Sequence, residues 1–125
     1  MSNQFASSSL VLILEDEAVI ALNLQDELED AGYSIGGPFI TCADALSWLE
    51  TNTPDVAVLD TVLKDAPCGA VARELADRKV PFLIYSGHRE DQELLAEFHH
   101  VRWIEKPVPP SVLIKECEQL LVGAV

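Results

Sequence analysis

A short apolar run that ends on a carboxylate constrains the fold of this chain more than any other stretch. Residues 56–59 read Val-Ala-Val-Leu and lie between Pro54-Asp55 and Asp60. A valine-rich run with turn formers on both sides is typical of a central parallel strand covered on both faces. Open α/β sheets place their chemistry at the carboxyl ends of such strands, so Asp60 is a candidate functional residue. Alone, it is as easily a turn former or a helix N-cap.

A second apolar run, residues 10–14, ends on three acids, Glu15-Asp16-Glu17. If the two strands are neighbours, Glu15, Asp16 and Asp60 converge into a pocket whose mutual repulsion must be offset by a cation or by protonation. A hard divalent cation with oxygen ligands fits this need. Glu15 and Glu17 could instead both be solvated acids in the first turn of a helix, and only register favours Glu15 as the ligand.

Composition and charge narrow the class of protein. The chain has 125 residues, of which 49% are hydrophobic and 23% charged, so we expect one folded domain over residues 10–123 after a loose leader, 1–9. The net charge of −13 disfavours nucleic acid and anionic lipid as partners, and no apolar run approaches the length of a membrane span. Three cysteines without a CxxC pattern argue against a disulfide framework or a zinc site and favour a reducing cytoplasm.

Strand and helix patterns alternate along the chain. We expect strands near residues 10–14, 33–36, 56–59, 80–85 and 101–104, with Gly37-Pro38 ending the second, and helices near 17–31, 41–52, 70–79 and 94–98 and from Pro109-Pro110 onward. Such alternation indicates βα units joined by right-handed crossovers. We therefore predict an α/β fold, a flavodoxin-like, doubly wound, five-stranded parallel sheet with five helices. Its strand order, 2-1-3-4-5, is taken from known sheets of that type and places the ligand crevice between strands one and three.

The ends of four predicted strands bring three acids, a hydroxyl and a cation to one rim of the sheet: Glu15, Asp16, Asp60, Ser86 and Lys106. This set of groups suits phosphoryl transfer. A carboxylate can act as the nucleophile, a divalent cation can bridge it to the phosphoryl oxygens, and Lys106 and Ser86 can neutralise and orient the group. Taken singly, Ser86 is a plausible turn residue and Lys106 a plausible surface lysine.

Four separated motifs, in order and spacing, resemble the receiver domain of two-component response regulators over residues 10–123. They are Ile13-Leu14-Glu15-Asp16-Glu17, Pro54-Asp55 leading to Asp60, Tyr85-Ser86-Gly87 and Glu105-Lys106-Pro107. The resemblance implies that Asp60 is the phosphoacceptor and that Ser86 and Lys106 bind the phosphoryl group. It further implies a Mg²⁺ site formed by Glu15, Asp16, Asp60 and the backbone carbonyl of Val62.

The same resemblance gives a role to Trp103, which lies three residues before Lys106. In the family this is an aromatic switch position, where the ring turns inward once the hydroxyl of Ser86 moves toward the phosphate. Tryptophan is a less usual residue there, and a tryptophan is more often simply part of a core. The sequence also departs from the family where Leu63-Lys64 replaces the usual Met-Pro. The 64–69 loop and residues 80–87 resemble a stand-alone subgroup, common in alphaproteobacteria, whose fourth strand ends in Phe-Ala-Thr-Gly.

The resemblance implies a single-domain response regulator. Such a protein accepts a phosphoryl group on Asp60 from a histidine kinase or a phosphotransfer protein in a Mg²⁺-dependent reaction. We expect it to signal through contact with a downstream protein, or to relay the phosphoryl group onward, since 125 residues leave no room for an output domain. It is not an enzyme in the ordinary sense, because it catalyses only its own phosphorylation and dephosphorylation.

Two other classes share features of this chain. A phosphatase that works through an aspartyl-phosphate has a similar acid pocket, but it requires an Asp-x-Asp motif, and residues 60–62 lack the second acid. A receiver-like module that binds partners without phosphorylation usually has an eroded pocket, whereas all the expected acids are present here. His88, His99 and His100 receive no role. The neighbouring His99 and His100 cannot share one helix face to bind a metal, so we expect solvent-facing histidines.

Overall fold

A five-stranded parallel sheet forms the centre of the computed structural model, which describes residues 9–61, 63, 67–87 and 101–123. The strand order is β2-β1-β3-β4-β5, so the predicted doubly wound topology is confirmed. The strands are β1 (Leu10–Leu14), β2 (Ser34–Phe39), β3 (Val56–Leu59), β4 (Phe82–Ser86) and β5 (Trp103–Glu105). The helices are α1 (Ala18–Asp30), α2 (Cys42–Leu49), α3 (Gly69–Asp77) and α4 (Pro110–Gly123).

Some of the predictions fall outside the described residues. These are the helix expected near 94–98, the three histidines, the carbonyl of Val62 and nearly all of the 1–9 leader. The described part of the chain therefore contains four of the five expected helices. None of these four is both long and apolar enough to cross a membrane.

Two hydrophobic clusters cover the two faces of the sheet. On one face, Leu12 and Leu59 pack with residues of α2 and α3; on the other, Ile13 and Val58 pack with residues of α1 and α4. Neighbouring residues of a strand point to opposite faces, so a strand covered on both sides needs apolar residues at every position. This explains why β3 is an unbroken apolar run and why its polar successor, Asp60, stands out in the sequence.

The second strand is longer than predicted, because it continues through Gly37-Pro38 to Phe39. β2 lies at the edge of the sheet, where a proline without an N–H group is tolerated. Gly37 has a φ of 98°, a conformation that glycine adopts without steric cost. The extension matters for the acids, because the backbone N–H of Glu15 donates to the carbonyl of Phe39 at 3.0 Å.

Local hydrogen bonds set two of the helix ends. Thr41 is the N-cap of α2, and its Oγ1 accepts a hydrogen bond from the backbone N–H of Asp44 at 3.1 Å. At the end of α3, the N–H of Val80 donates to the carbonyl of Leu75 at 2.9 Å. That turn places Lys79 at a φ of 61°, the left-handed region in which glycine is the usual residue.

Candidate functional site

Side chains from the carboxyl ends of four adjacent strands meet at one edge of the sheet. They are Glu15 and Asp16 after β1, Asp60 after β3, Ser86 at the end of β4 and Lys106 after β5. The sheet itself positions their backbones: the N–H of Asp60 donates to the carbonyl of Leu14 at 3.1 Å, and that of Lys106 to the carbonyl of Ser86 at 2.9 Å. The structure thus brings the five residues that the sequence placed on one rim to the same edge.

The three predicted metal-binding acids form a tight group. Glu15, Asp16 and Asp60 each offer a carboxylate oxygen, and these three oxygens lie within 4.8 Å of one another. Glu15 and Asp60 are 2% and 8% exposed, whereas the side chain of Glu17 is 61% exposed and does not belong to the group. A set of charged oxygen donors fits a hard cation such as Mg²⁺. Their role as metal ligands stays a prediction.

Lys106 is the cation of the site. Its Nζ lies 2.8 Å from Glu15 Oε1, 3.0 Å from Asp60 Oδ2 and 3.0 Å from Glu17 Oε1, and its side chain is only 9% exposed. The ammonium group also lies 5.4 Å from the centroid of the Tyr85 ring, within the range of a cation–π contact. The contact with Glu17 was not predicted, and no pattern in the sequence pointed to it.

The environment shifts the pKa values of two of these groups. Burial alone would lower the pKa of Lys106, but its hydrogen bonds to Glu15, Asp60 and Glu17, with the attraction of Asp60, raise that pKa above the ordinary value. Burial raises the pKa of Glu15. The hydrogen bonds from Lys106 and from the backbone N–H of Glu17 lower this pKa, but they offset only part of the effect of burial. The lysine is therefore charged at neutral pH, and it stabilises the ionised form of Glu15.

The carboxylate of Asp60 is held in a fixed orientation. Its Oδ1 accepts a hydrogen bond from the backbone N–H of Thr61 at 2.8 Å, and its Oδ2 accepts one from Lys106 Nζ at 3.0 Å. The backbone carbonyl of the same residue accepts a hydrogen bond from the thiol of Cys68, whose own N–H donates to the carbonyl of Thr61 at 2.9 Å. No role was predicted for Cys68, although its position beside Gly69, at the start of α3, was a signal in the sequence.

Ser86 lies at the carboxyl end of β4, as predicted, and it has a partner that was not predicted. Its Oγ is 3.0 Å from the Oγ1 of Thr61, within hydrogen-bond distance, and the two residues are 4% and 1% exposed. The pair joins the end of β3 to the end of β4. Thr61 therefore contacts Asp60 through its backbone and Ser86 through its side chain.

Trp103 lies on β5 opposite Ile84 of β4. Its half-buried side chain packs against the cluster on the α2 and α3 face, so the ring is at the edge of the core. The packing agrees with the core interpretation of this residue, and its role as a switch stays a prediction.

Comparisons with known proteins agree with this geometry. The response regulator receiver domain family matches residues 11–118. The transcriptional regulatory protein PdtaR of Mycobacterium tuberculosis is 28% identical over 86% of this chain, which spans about half of PdtaR (54%). The solution structure of SdrG from Sphingomonas melonis Fr1 is 31% identical, with a TM-score of 0.77 over 93% of this chain and 98% of SdrG.

A crystal structure of a response regulator receiver protein from Sinorhizobium medicae WSM419 is 27% identical. It has a TM-score of 0.80 over 94% of this chain and 98% of that protein. The match over residues 11–118 contains all four motifs found in the sequence. The chain therefore belongs to the response regulator receiver domain family.

Proposed function

We propose that Asp60 accepts a phosphoryl group from a histidine kinase or a histidine phosphotransfer protein. The observation that carries this proposal is the environment of the Asp60 carboxylate, which lies at the end of a central strand near a largely buried lysine and two further acids. A buried carboxylate oriented by a backbone N–H and an ammonium group is arranged as a nucleophile rather than as a solvated surface acid.

The chain supplies two functions for this reaction. A carboxylate oxygen of Asp60 attacks phosphorus, so that an O–P bond forms while the P–N bond to the donor histidine breaks. Lys106 faces the negative charge on the phosphoryl oxygens, because its Nζ already lies 3.0 Å from Asp60 Oδ2. Glu15, Asp16, Asp60 and the carbonyl of Val62 would hold Mg²⁺, whose charge offsets the repulsion between these acids and the incoming group.

The phosphorylated domain signals by contact with a downstream protein. In this proposal the hydroxyl of Ser86 binds a phosphoryl oxygen, and the ring of Trp103 moves inward in response. The domain catalyses only its own phosphorylation and dephosphorylation. Its net charge of −13 supports a protein rather than a nucleic acid as its target. The three cysteines are free thiols, which supports a location in the reducing cytoplasm.

Labelling by a small phosphodonor tests the proposal. Acetyl phosphate with Mg²⁺ should raise the intact mass of the protein by one phosphoryl unit, and Asp60→Asn should abolish this increase. Asp26→Asn, which removes an exposed acid of α1, is the matched control and should be labelled like the parent. Labelling of Asp60→Asn would overturn the assignment of the acceptor. A parent protein that is never labelled would favour a binding module that works without phosphorylation.

A further inference from the structure

A pair of buried hydroxyl groups connects the acceptor strand to its neighbour. Thr61 Oγ1 and Ser86 Oγ lie 3.0 Å apart, and both residues are almost completely buried. The backbone N–H of the same threonine donates to Oδ1 of Asp60 at 2.8 Å. Thr61 therefore links the candidate phosphoacceptor to the hydroxyl that is expected to bind the phosphoryl group.

We propose that Thr61 is a positioning residue that holds the Ser86 hydroxyl in the unphosphorylated position and so opposes activation. This inference rests on the proposed function, in which Ser86 moves toward the phosphoryl group on Asp60. That movement lengthens the contact of 3.0 Å between the two hydroxyl oxygens. The hydrogen bond to Thr61 is thus exchanged for one to a phosphoryl oxygen.

Thr61 cannot follow Ser86 through this movement. The residue is 1% exposed, and a β-branched side chain has little rotamer freedom. Its backbone is also held by the hydrogen bond to Asp60 Oδ1 and by the one from Cys68 to its carbonyl. The hydroxyl of Thr61 therefore stabilises the unphosphorylated arrangement selectively, and a group that stabilises one of two states shifts the equilibrium toward it.

Thr61→Val removes the hydroxyl group and keeps the shape of the side chain. A single buried hydrogen bond between neutral groups corresponds to a change of about two- to tenfold in an equilibrium constant. The variant should therefore bind beryllium fluoride, a mimic of the phosphoryl group, about two- to tenfold more tightly than the parent in the presence of Mg²⁺. Its affinity for Mg²⁺ alone should be unchanged, because the N–H that orients Asp60 is retained.

A double-mutant cycle separates this role from ordinary packing. In a Ser86→Ala background the hydrogen bond no longer exists, so Thr61→Val should change the affinity for the mimic by less than about twofold. Thr61→Ser keeps the hydroxyl on a more mobile side chain, so its affinity for the mimic should lie closer to that of the parent than the affinity of Thr61→Val does. Thr61→Ala is a second variant, and its smaller side chain cannot overfill the site. It too should bind the mimic more tightly than the parent.

The experiment is a calorimetric titration of the full chain and each variant with beryllium fluoride and Mg²⁺. Tighter binding by Thr61→Val and Thr61→Ala, lost in the Ser86→Ala background, is the expected result. If the parent binds the mimic and both Thr61→Val and Thr61→Ala bind it equally or more weakly, the role of Thr61 is overturned and the proposed function is not. A parent that binds no mimic at all would overturn the proposed function, and the role of Thr61 with it.

Discussion

Replacing Lys106 by methionine tests the electrostatics of the site directly, because the variant loses the charge and keeps an unbranched side chain. The ammonium group lies 2.8 Å from Glu15 Oε1 and 3.0 Å from Asp60 Oδ2, and the side chains of these acids are 3% and 11% exposed. Lys106→Met therefore leaves two buried carboxylates without the cation that contacts both. The folded protein should lose stability as a result.

The expected loss can be bounded from two directions. Removing one partner of a buried ion pair typically costs about 3–5 kcal/mol. A buried carboxyl can instead take up a proton, and for an acid with an ordinary pKa of 4.5 this costs about 3.4 kcal/mol at pH 7. Protonation therefore limits how much free energy of unfolding is lost when Glu15 no longer has a cation beside it. We expect Lys106→Met to lower the free energy of unfolding by about 3 kcal/mol at pH 7 without Mg²⁺.

The sign of the pH dependence follows from the pKa of Glu15, which burial already raises in the parent. Loss of the lysine raises it further. A carboxyl whose pKa is higher in the folded than in the unfolded protein stabilises the folded protein fully only when the pH is below its pKa in the unfolded protein. This stabilisation is lost as the pH rises through its pKa in the folded protein. The deficit of Lys106→Met relative to the parent should therefore shrink as the pH is lowered from about 7 to about 5.

Urea denaturation followed by circular dichroism measures this deficit, in EDTA and in Mg²⁺. Lys115→Met, on an exposed position of α4, makes the same chemical change and should alter stability by no more than about 0.5 kcal/mol. Mg²⁺ should stabilise Lys106→Met more than the parent, because the variant site is more negative and a ligand of the folded state alone adds to stability. A deficit below about 1 kcal/mol at pH 7 in EDTA would show that Lys106 does not offset the charge of the buried carboxylates.

Asp16→Asn should weaken Mg²⁺ binding strongly because it removes a charged oxygen ligand. Calorimetry on this variant and on the control Asp26→Asn tests this prediction. Equal Mg²⁺ affinities of the two variants would exclude Asp16 from the site. Trp48 of α2 is the other of the two tryptophans in the chain. In a Trp48→Phe background, the fluorescence of Trp103 should change when beryllium fluoride binds with Mg²⁺. An unchanged spectrum, despite proven binding, would make Trp103 ordinary packing. Lys79→Gly should raise the free energy of unfolding by about 0.5–1 kcal/mol, because glycine adopts a positive φ without steric cost; denaturation that shows a decrease would contradict this.

The sequence predicted the sheet and the rim of the site because both depend on local signals. Apolar runs bounded by turn formers mark the strands, and in parallel strands the residue that follows each run lies at the same edge. The prediction failed at Gly37-Pro38, which continues β2 instead of ending it. A proline ends a central strand because its missing N–H leaves a neighbour unpaired, and at the edge of the sheet that penalty is absent.

Contacts between side chains of different strand ends were harder to predict, and the Thr61–Ser86 pair shows the physical reason. In the structure Leu59 of β3 pairs with Ile84 of β4, and each hydroxyl residue lies two positions beyond its paired residue. Side chains alternate between faces, so this register brings the two hydroxyls to the same face at the same level. The apolar runs at 56–59 and 80–85 differ in length, so the sequence leaves that register open. A slip of one residue would turn one hydroxyl to the opposite face. The register between β3 and β4, rather than any single motif, therefore determines which side chain can restrain Ser86.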